Sequence, residues 1–378
     1  MARLEEICAI NMGQSPDSST YNEDGNGLPF FQGNADFGEI YPAVRMWCSE
    51  PTKIAREKDI LISVRAPIGA LNIANCECCI GRGLAALTVN EDICAQEYLW
   101  YALSGKVDEL NSKGTGSTFK AINKKTLSET EIPLPPIDEQ RKIAAILDKI
   151  GDLISKRRQQ LDKLDEMIKA RFMEIFGDPE TNTKNWRVLP MSKICSVGSS
   201  KRIYQSEQSS SGVPFWRISD LTSLITTGTV TPELYIPEER YKELKTQGQV
   251  PAPGDILITS RGTLGQCYIV KVNDRFYFQD GMISWLSGYM DGVTPLYISY
   301  LFTMPGFRKQ IDSMQAGSTV AYLSITMIKK LKVMLPDIES QQQFASFVSK
   351  TEKTKTTISR SLEKLETLKK ALMQEYFG

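Results

Sequence analysis

One stretch of this 378-residue chain recurs after 201 positions with no insertion or deletion. Gly116-Ser117-Thr118 returns as Gly317-Ser318-Thr319, Leu134-Pro135 as Leu335-Pro336, Leu161 as Leu362, Leu164 as Leu365, and Phe176-Gly177 as Phe377-Gly378. A constant offset over such a span means that one structural unit is duplicated and its length is kept. Upstream the match continues with other offsets. Asp59-Ile60-Leu61-Ile62 matches Asp255-Ile256-Leu257-Ile258 at 196, and Leu28-Pro29-Phe30-Phe31 matches Val213-Pro214-Phe215-Trp216 at 185. Shifting offsets mean loops of different length on similar domains. The chain therefore alternates a variable domain with a unit of fixed length, twice. A rigid spacer joining two adaptable modules accounts for both behaviours; an old duplication with no present role accounts only for the repetition.

The fixed-length unit has the pattern of a long helix. From about residue 139 to 176 there is no proline and one glycine, Gly151. In heptads, position a holds Ile143, Ile150, Arg157, Leu164 and Arg171, and position d holds Leu147, Ile154, Leu161, Ile168 and Ile175. Apolar residues at every d and most a positions make a coiled-coil seam. The second copy has Phe344, Thr351, Ile358, Leu365 and Leu372 at a, and Val348, Lys355, Leu362, Lys369 and Tyr376 at d. Its weaker d row suggests partial exposure to solvent or to another subunit. Prolines (Pro133, Pro135 and Pro136; Pro336) fix the helix starts, and Gly177 and Gly378 stand where helix-ending glycines belong. At 1.5 Å per residue, roughly 38 residues give a rod of about 57 Å. Two matched helices in one chain favour an internal antiparallel pair over a homodimeric coiled coil, because the effective concentration is higher.

The variable domains are expected to be α+β. Residues 59–64, 255–260, 28–32 and 213–218 have the pattern of short strands, and 97–110 and 296–314 that of helices. The loop ending in Gly116-Ser117-Thr118 is polar and glycine-rich, and its repeat is Gly317-Ser318-Thr319. It offers backbone N–H groups to a phosphate, although a plain turn is the commoner use of such a sequence. No Gly-x-x-x-x-Gly-Lys-Ser/Thr occurs, so it is not a P-loop. Arg65 and Arg261 follow the two matching strands and precede glycine-containing turns. An arginine so placed suits phosphate or guanine contact, or a salt bridge within its domain.

Composition narrows the chemistry. There is no histidine, so no Ser–His–Asp or Cys–His nucleophile system can be built. Of eight cysteines, Cys76 and Cys79 have zinc-like spacing, but no second pair and no histidine complete a site, so buried reduced thiols are expected. The amino-terminal residues are charged where a signal peptide is apolar, and no run approaches the roughly 20 apolar residues of a membrane span, so a cytoplasmic protein is expected. Charge is uneven. Residues 1–136 carry 12 Lys+Arg against 18 Asp+Glu, net −6, and residues 186–336 carry 16 against 11, net +5. A nucleic-acid binder normally shows a basic footprint, so the first domain needs its basic groups gathered on one face, or partners that supply them.

The order of parts resembles a known family. Two variable domains, two near-identical long helices, and the landmarks Asp-Ile-Leu-Ile, Gly-Ser-Thr, Leu134-Pro135-Pro136-Ile137-Asp138-Glu139-Gln140 and a terminal Phe-Gly are similar to the specificity subunits of type I restriction–modification systems. The match runs over essentially the whole chain. The second copy departs at Leu335-Pro336-Asp337-Ile338-Glu339-Ser340-Gln341. The resemblance implies target-recognition domains at 1–136 and 178–336, spacer helices at 137–177 and 337–378, and a pseudo-twofold arrangement of two globular domains about an antiparallel coiled coil. It implies a non-catalytic chain in which each domain reads half of a split double-stranded DNA target. Two methyltransferase subunits dock on the helices with S-adenosylmethionine, and restriction/translocase subunits use ATP and magnesium. In keeping with that division of labour, the chain holds no Asn/Asp-Pro-Pro-Tyr/Phe methylation motif. No metal or catalytic residue is assigned to this chain.

On that basis the DNA-contacting candidates divide in two. Arg65, Lys113, Lys120, Lys124 and Arg261 hold phosphates, with Ser117, Ser318 and Thr319 of the repeated loop. Gln32 and Asn34 in the first domain, and Arg217, Ser219 and Asp220 in the second, read base edges. The alternatives are a stand-alone nuclease, a coiled-coil scaffold with protein-binding ends, and a specificity subunit serving another type of restriction system.

Overall fold

Strand Ile60–Ser63 is buried along its whole length, and its side chains alternate between two cores. Ile60 and Ile62 join the cluster that holds Leu87, Tyr98 and Leu103, whereas Leu61 joins Phe31, Ile80 and Ala86 on the opposite face. A period of two with both faces covered is why the stretch is uniformly apolar rather than alternating. Strand Ile256–Thr259 repeats the arrangement: Ile256 and Ile258 face one core and Leu257 another.

The computed structural model describes residues 1–116, 120–315 and 321–378. It divides into two units, residues 1–159 with 358–378, and residues 160–357. Each unit is a mixed α and β domain joined by portions of both long helices.

In the first unit an antiparallel sheet has the order Cys8–Met12, Leu84–Val89, Ile60–Ser63, Leu71–Ile73. Strand Leu28–Phe31 lies in a second sheet, parallel to Cys78–Ile80. A two-stranded ribbon pairs Ala2–Arg3 with Glu131–Ile132. The second unit has the same plan. Its antiparallel sheet runs Ser196–Gly198, Ile283–Ser287, Ile256–Thr259, Cys267–Ile269, Val213–Trp216 lies parallel to Tyr277–Phe278, and Arg187–Pro190 pairs with Lys332–Leu335.

Element ends differ from the sequence expectations for local reasons. Asp59 and Asp255 precede their strands because each carboxylate accepts a backbone N–H three residues back, from Arg56 and Ala252, both at 2.8 Å. The strand expected over 213–218 stops at Trp216, since Arg217 is the N-cap of helix Ile218–Thr227. The helix expected over 296–314 is two, Pro295–Leu301 and Pro305–Ser313. Pro305 disfavours helical backbone in the residue before it, and Met304 is extended (φ −78°, ψ 132°). The helix expected over 97–110 is also divided, into Gln96–Gly105 and Val107–Ser112.

The long helices are Ile137–Phe176 and Ile338–Phe377, 40 residues each. Every a and d position of both is buried or half-buried, whereas most other positions are exposed. Gly177 ends the first with φ 79°, and its N–H donates to Met173 O at 2.9 Å. The two lysines that weaken the second d row are accommodated by partners. In the second unit, Lys355 Nζ lies 2.7 Å from Asp165 Oδ1 and 3.2 Å from Glu352 Oε1. In the first, Lys369 Nζ lies 5.8 Å from the Tyr101 ring centre. Within the second unit Asp165 meets Lys355 while Arg171 lies over Phe347, so the two helical stretches there run antiparallel.

Candidate nucleic-acid interface

The candidate residues of the first domain lie on segments that hydrogen bonds tie into one rim. Gly83 N donates to Gln32 O at 3.1 Å, Val64 N to Gly83 O at 2.9 Å, Ile122 N to Val64 O at 2.9 Å, and Ala66 N to Lys120 O at 3.1 Å. These bonds gather the ends of strands Leu28–Phe31 and Ile60–Ser63, the turn 81–83, and the stretch leading to helix Lys124–Ser128. Gln32, Arg65 and Lys120 are therefore neighbours on one edge although 88 positions separate the first from the last. The second domain has an equivalent rim: Gln279 N donates to Trp216 O at 2.9 Å, Ser260 N to Met282 O at 2.9 Å, and Leu323 N to Ser260 O at 3.0 Å.

Electrostatics separate the candidates. Arg65, Lys120 and Lys124 are exposed and have no acidic partner among the described residues. Arg261 is exposed, with its guanidinium carbon 5.3 Å from the Tyr322 ring centre, which orients the group without neutralising it. Lys113 differs: its amine lies 2.6 Å from Glu109 Oε1. That hydrogen bond, aided by Lys106, holds the Glu109 carboxyl below its ordinary range. Among the base-edge candidates, Gln32 and Ser219 are exposed and Asn34 half-buried. Arg217 Nη2 lies 2.7 Å from Glu233 Oε2, and its Nε 3.5 Å from Asp220 Oδ2. Glu233 first, and then Asp220, push the Arg217 pKa further up. Asp220 is buried, and its Oδ2 accepts the Arg217 backbone N–H at 2.8 Å. The structure thus gives Asp220 a capping and orienting role behind Arg217. Asp36 does the same in the first domain, accepting the Gln32 N–H at 2.8 Å. Ser117, Ser318 and Thr319 lie outside the described residues.

Part of the acidic excess of the first domain lies away from the rim. Glu57 and Lys58 lie before strand Ile60–Ser63 and Arg65 lies after it, so strand direction separates them. A cavity of about 500 Å³ opens at the Glu57 end, lined also by Glu91, Glu97 and Arg141. Sequence reasoning missed Arg82, exposed on the rim turn beside Gln32. Its signal was the pair of flanking glycines. The cysteine cluster fills space: Cys78 and Cys79 point into cores on opposite faces of strand Cys78–Ile80. No group of three or more His, Cys, Asp or Glu side chains that would hold a metal occurs among the described residues. No helix among them is long and apolar enough to cross a membrane.

Fold and rims together define a duplicated, two-domain binding module whose domains present loops on a common scaffold. A family model described as "Type I restriction modification DNA specificity domain" matches residues 1–165 and again 183–367, and the chain belongs to this family. It is 45% identical over 171 residues to a Methanocaldococcus jannaschii protein named "Putative type I restriction enzyme MjaX specificity subunit"; that match spans 45% of this chain and 40% of the relative. With the Escherichia coli type I restriction enzyme EcoBI specificity subunit it is 18% identical over 419 residues, spanning 99% of this chain and 84% of the relative. The fold is shared with the crystal structure of a type I restriction–modification S subunit from M. genitalium, at TM-score 0.59 and 15% identity, covering 100% of this chain and 95% of that one.

Proposed function

We propose that this chain is the sequence-specific DNA recognition subunit of a type I restriction–modification complex, and itself non-catalytic. The observation that carries the proposal is the matched pair of rims, where basic side chains without acidic partners follow equivalent strand ends in both domains. Each domain, 1–136 and 178–336, reads one half of a bipartite double-stranded target. The helices, 137–177 and 337–378, pair as an antiparallel coiled coil that sets the spacing. They also offer two similar surfaces to two methyltransferase subunits, as expected when a repeated chain meets two copies of one partner. S-adenosylmethionine belongs to those partners, and ATP with magnesium to the restriction/translocase subunits. The assembly works in the cytoplasm.

Positioning and reading are separate tasks. Arg65, Lys120, Lys124 and Arg261 take phosphates, and Ser117, Ser318 and Thr319 of the repeated loop share that task. Lys113 joins them after leaving Glu109. Gln32, Asn34, Arg217 and Ser219 face base edges, and Asp220 holds Arg217 in place. The test is to purify the chain with the methyltransferase subunit of its system and to map methylated bases on genomic DNA. A split motif of two short halves with a fixed gap, methylated on both strands, supports the proposal. A chain that forms no complex and directs no methylation overturns it in favour of a protein-binding scaffold.

A further inference from the structure

The two rims share a backbone plan but differ at the turn that follows the parallel strand. In the first domain the turn between strands Cys78–Ile80 and Leu84–Val89 is Gly81-Arg82-Gly83. Gly81 N donates to Phe31 O at 2.8 Å, and Gly83 N to Gln32 O at 3.1 Å. This close approach requires glycine. A Cβ on Gly83 would lie 2.5 Å from Gln32 O, and one on Gly81 would lie 2.9 Å from Gln32 Cα. The turn is thus pressed against Gln32, and Arg82 supplies its only side chain. The Arg82 backbone N–H donates to Ser15 Oγ at 3.3 Å, which fixes the turn from its other flank. The Arg82 guanidinium itself is exposed and has no hydrogen-bond or acidic partner among the described residues.

In the second domain the turn between strands Tyr277–Phe278 and Ile283–Ser287 is one residue longer, Gln279-Asp280-Gly281-Met282, and is held by Gln279 N to Trp216 O and by Ser260 N to Met282 O. Its one charged residue is Asp280, whose Oδ2 accepts from Arg202 Nε at 2.9 Å. One turn therefore carries a free guanidinium and the other a carboxylate already bound to an arginine. A phosphate-holding task common to both domains would call for the same charge on both turns. A turn that differs in length and in sign of charge is what distinguishes two readers of different sequence.

We propose that Arg82 is a specificity-determining residue of the first domain and reads a guanine edge in the half-site that this domain contacts. The inference rests on the DNA-recognition reading above. Arginine forms two parallel hydrogen bonds to guanine O6 and N7, and a rigid turn supplies the fixed base from which such a fork is aimed. Glutamine in that place would instead suit adenine N6 and N7.

The test uses the complex with its methyltransferase subunits. Methylation of the mapped target, and of single-base variants of it, is compared for the wild type, Arg82→Ala and Arg82→Gln. Arg82→Ala is expected to lose discrimination at one guanine of one half-site by roughly 10- to 100-fold, leaving the other half-site read as before. Arg82→Gln is expected to shift that position towards adenine. The unchanged second half-site shows that each variant is folded and assembled. Uniform weakening across all sequences, with a shallower salt dependence, would make Arg82 a phosphate contact and overturn the proposal. So would an unchanged target for both variants. A wild-type complex that methylates no split target fails at the earlier step and overturns the recognition reading itself.

Discussion

Gln140 and Gln341 make the same three hydrogen bonds to backbone groups in the first turns of the two long helices. Gln140 Nε2 donates to Pro135 O at 2.8 Å and Ile93 O at 3.1 Å, while its Oε1 accepts from Ala95 N at 2.9 Å. Gln341 Nε2 donates to Pro336 O at 3.0 Å and Gly292 O at 2.8 Å, and its Oε1 accepts from Thr294 N at 2.8 Å. Both amides are buried. Each one joins the start of a long helix to the loop that leads into a helix of its domain, Gln96–Gly105 or Pro295–Leu301. An amide suits this place because it donates twice and accepts once within one planar group. The domain is thereby fixed to the helix by hydrogen-bond geometry as well as by packing.

Replacing either glutamine with alanine leaves buried backbone groups without partners. Each substitution is expected to cost about 1–3 kcal/mol. Glutamate should be worse at neutral pH, because a carboxylate cannot donate to the two carbonyls, and should recover as the pH falls. Urea unfolding of the alanine and glutamate variants at two pH values checks this. Glutamate tolerated as well as glutamine would contradict the joint.

Phe377 is expected to be a core residue of the first unit despite its place at the end of a helix. It is 3% exposed, and its ring centre lies 5.2 Å from that of Tyr98. A Cβ on Gly105 would stand 3.2 Å from the Phe377 Cβ. Phe377→Ala should cost about 3–5 kcal/mol. Hydrogen exchange should rise around helix Gln96–Gly105, with little change near Phe176, its counterpart in the second unit. A loss confined to fraying of the last helical turn would show that the contact contributes little.

Free and paired cations on the rim should separate in a salt titration of DNA binding by the complex. Arg65→Ala and Lys120→Ala should each weaken binding to all sequences and lower the slope of log K against log salt by about 0.9. Lys113→Ala should change the slope less, because its ammonium is already paired with Glu109. Equal effects for all three would show that Lys113 leaves Glu109 fully on binding.

Burial pushes the thiols of Cys8, Cys78, Cys94 and Cys195 up to about 12, from an ordinary value of 9.0. Between those values a thiolate forms only in the unfolded chain. The contribution of these thiols to stability is therefore intact below pH 9 and fades as the pH rises to 12. Denaturant midpoints should fall over that window. At pH 8 a thiol reagent should label half-buried Cys76 ahead of these four. Rapid labelling of all four at pH 8 would contradict their burial.

The sequence by itself determined the duplication, the strict length of the helical unit and the alternation of domains with helices. Those features are written in spacing, and spacing does not depend on how the chain packs. Local chemistry also marked the two apolar strands and the proline-led helix starts. Tertiary structure decided the rest. Asp220 has the side chain of a base reader, but it is buried and caps the backbone N–H of Arg217. Lys355 and Lys369 weaken a heptad on paper, yet an acidic partner and an aromatic face accommodate them. Net charge alone left open whether the first domain gathers its basic groups on one face or borrows them from partners, because a sum over sequence discards position. Strand direction put Glu57 and Arg65 at opposite ends of Ile60–Ser63, and only hydrogen bonds between distant segments brought Gln32, Arg65, Arg82 and Lys120 to one edge.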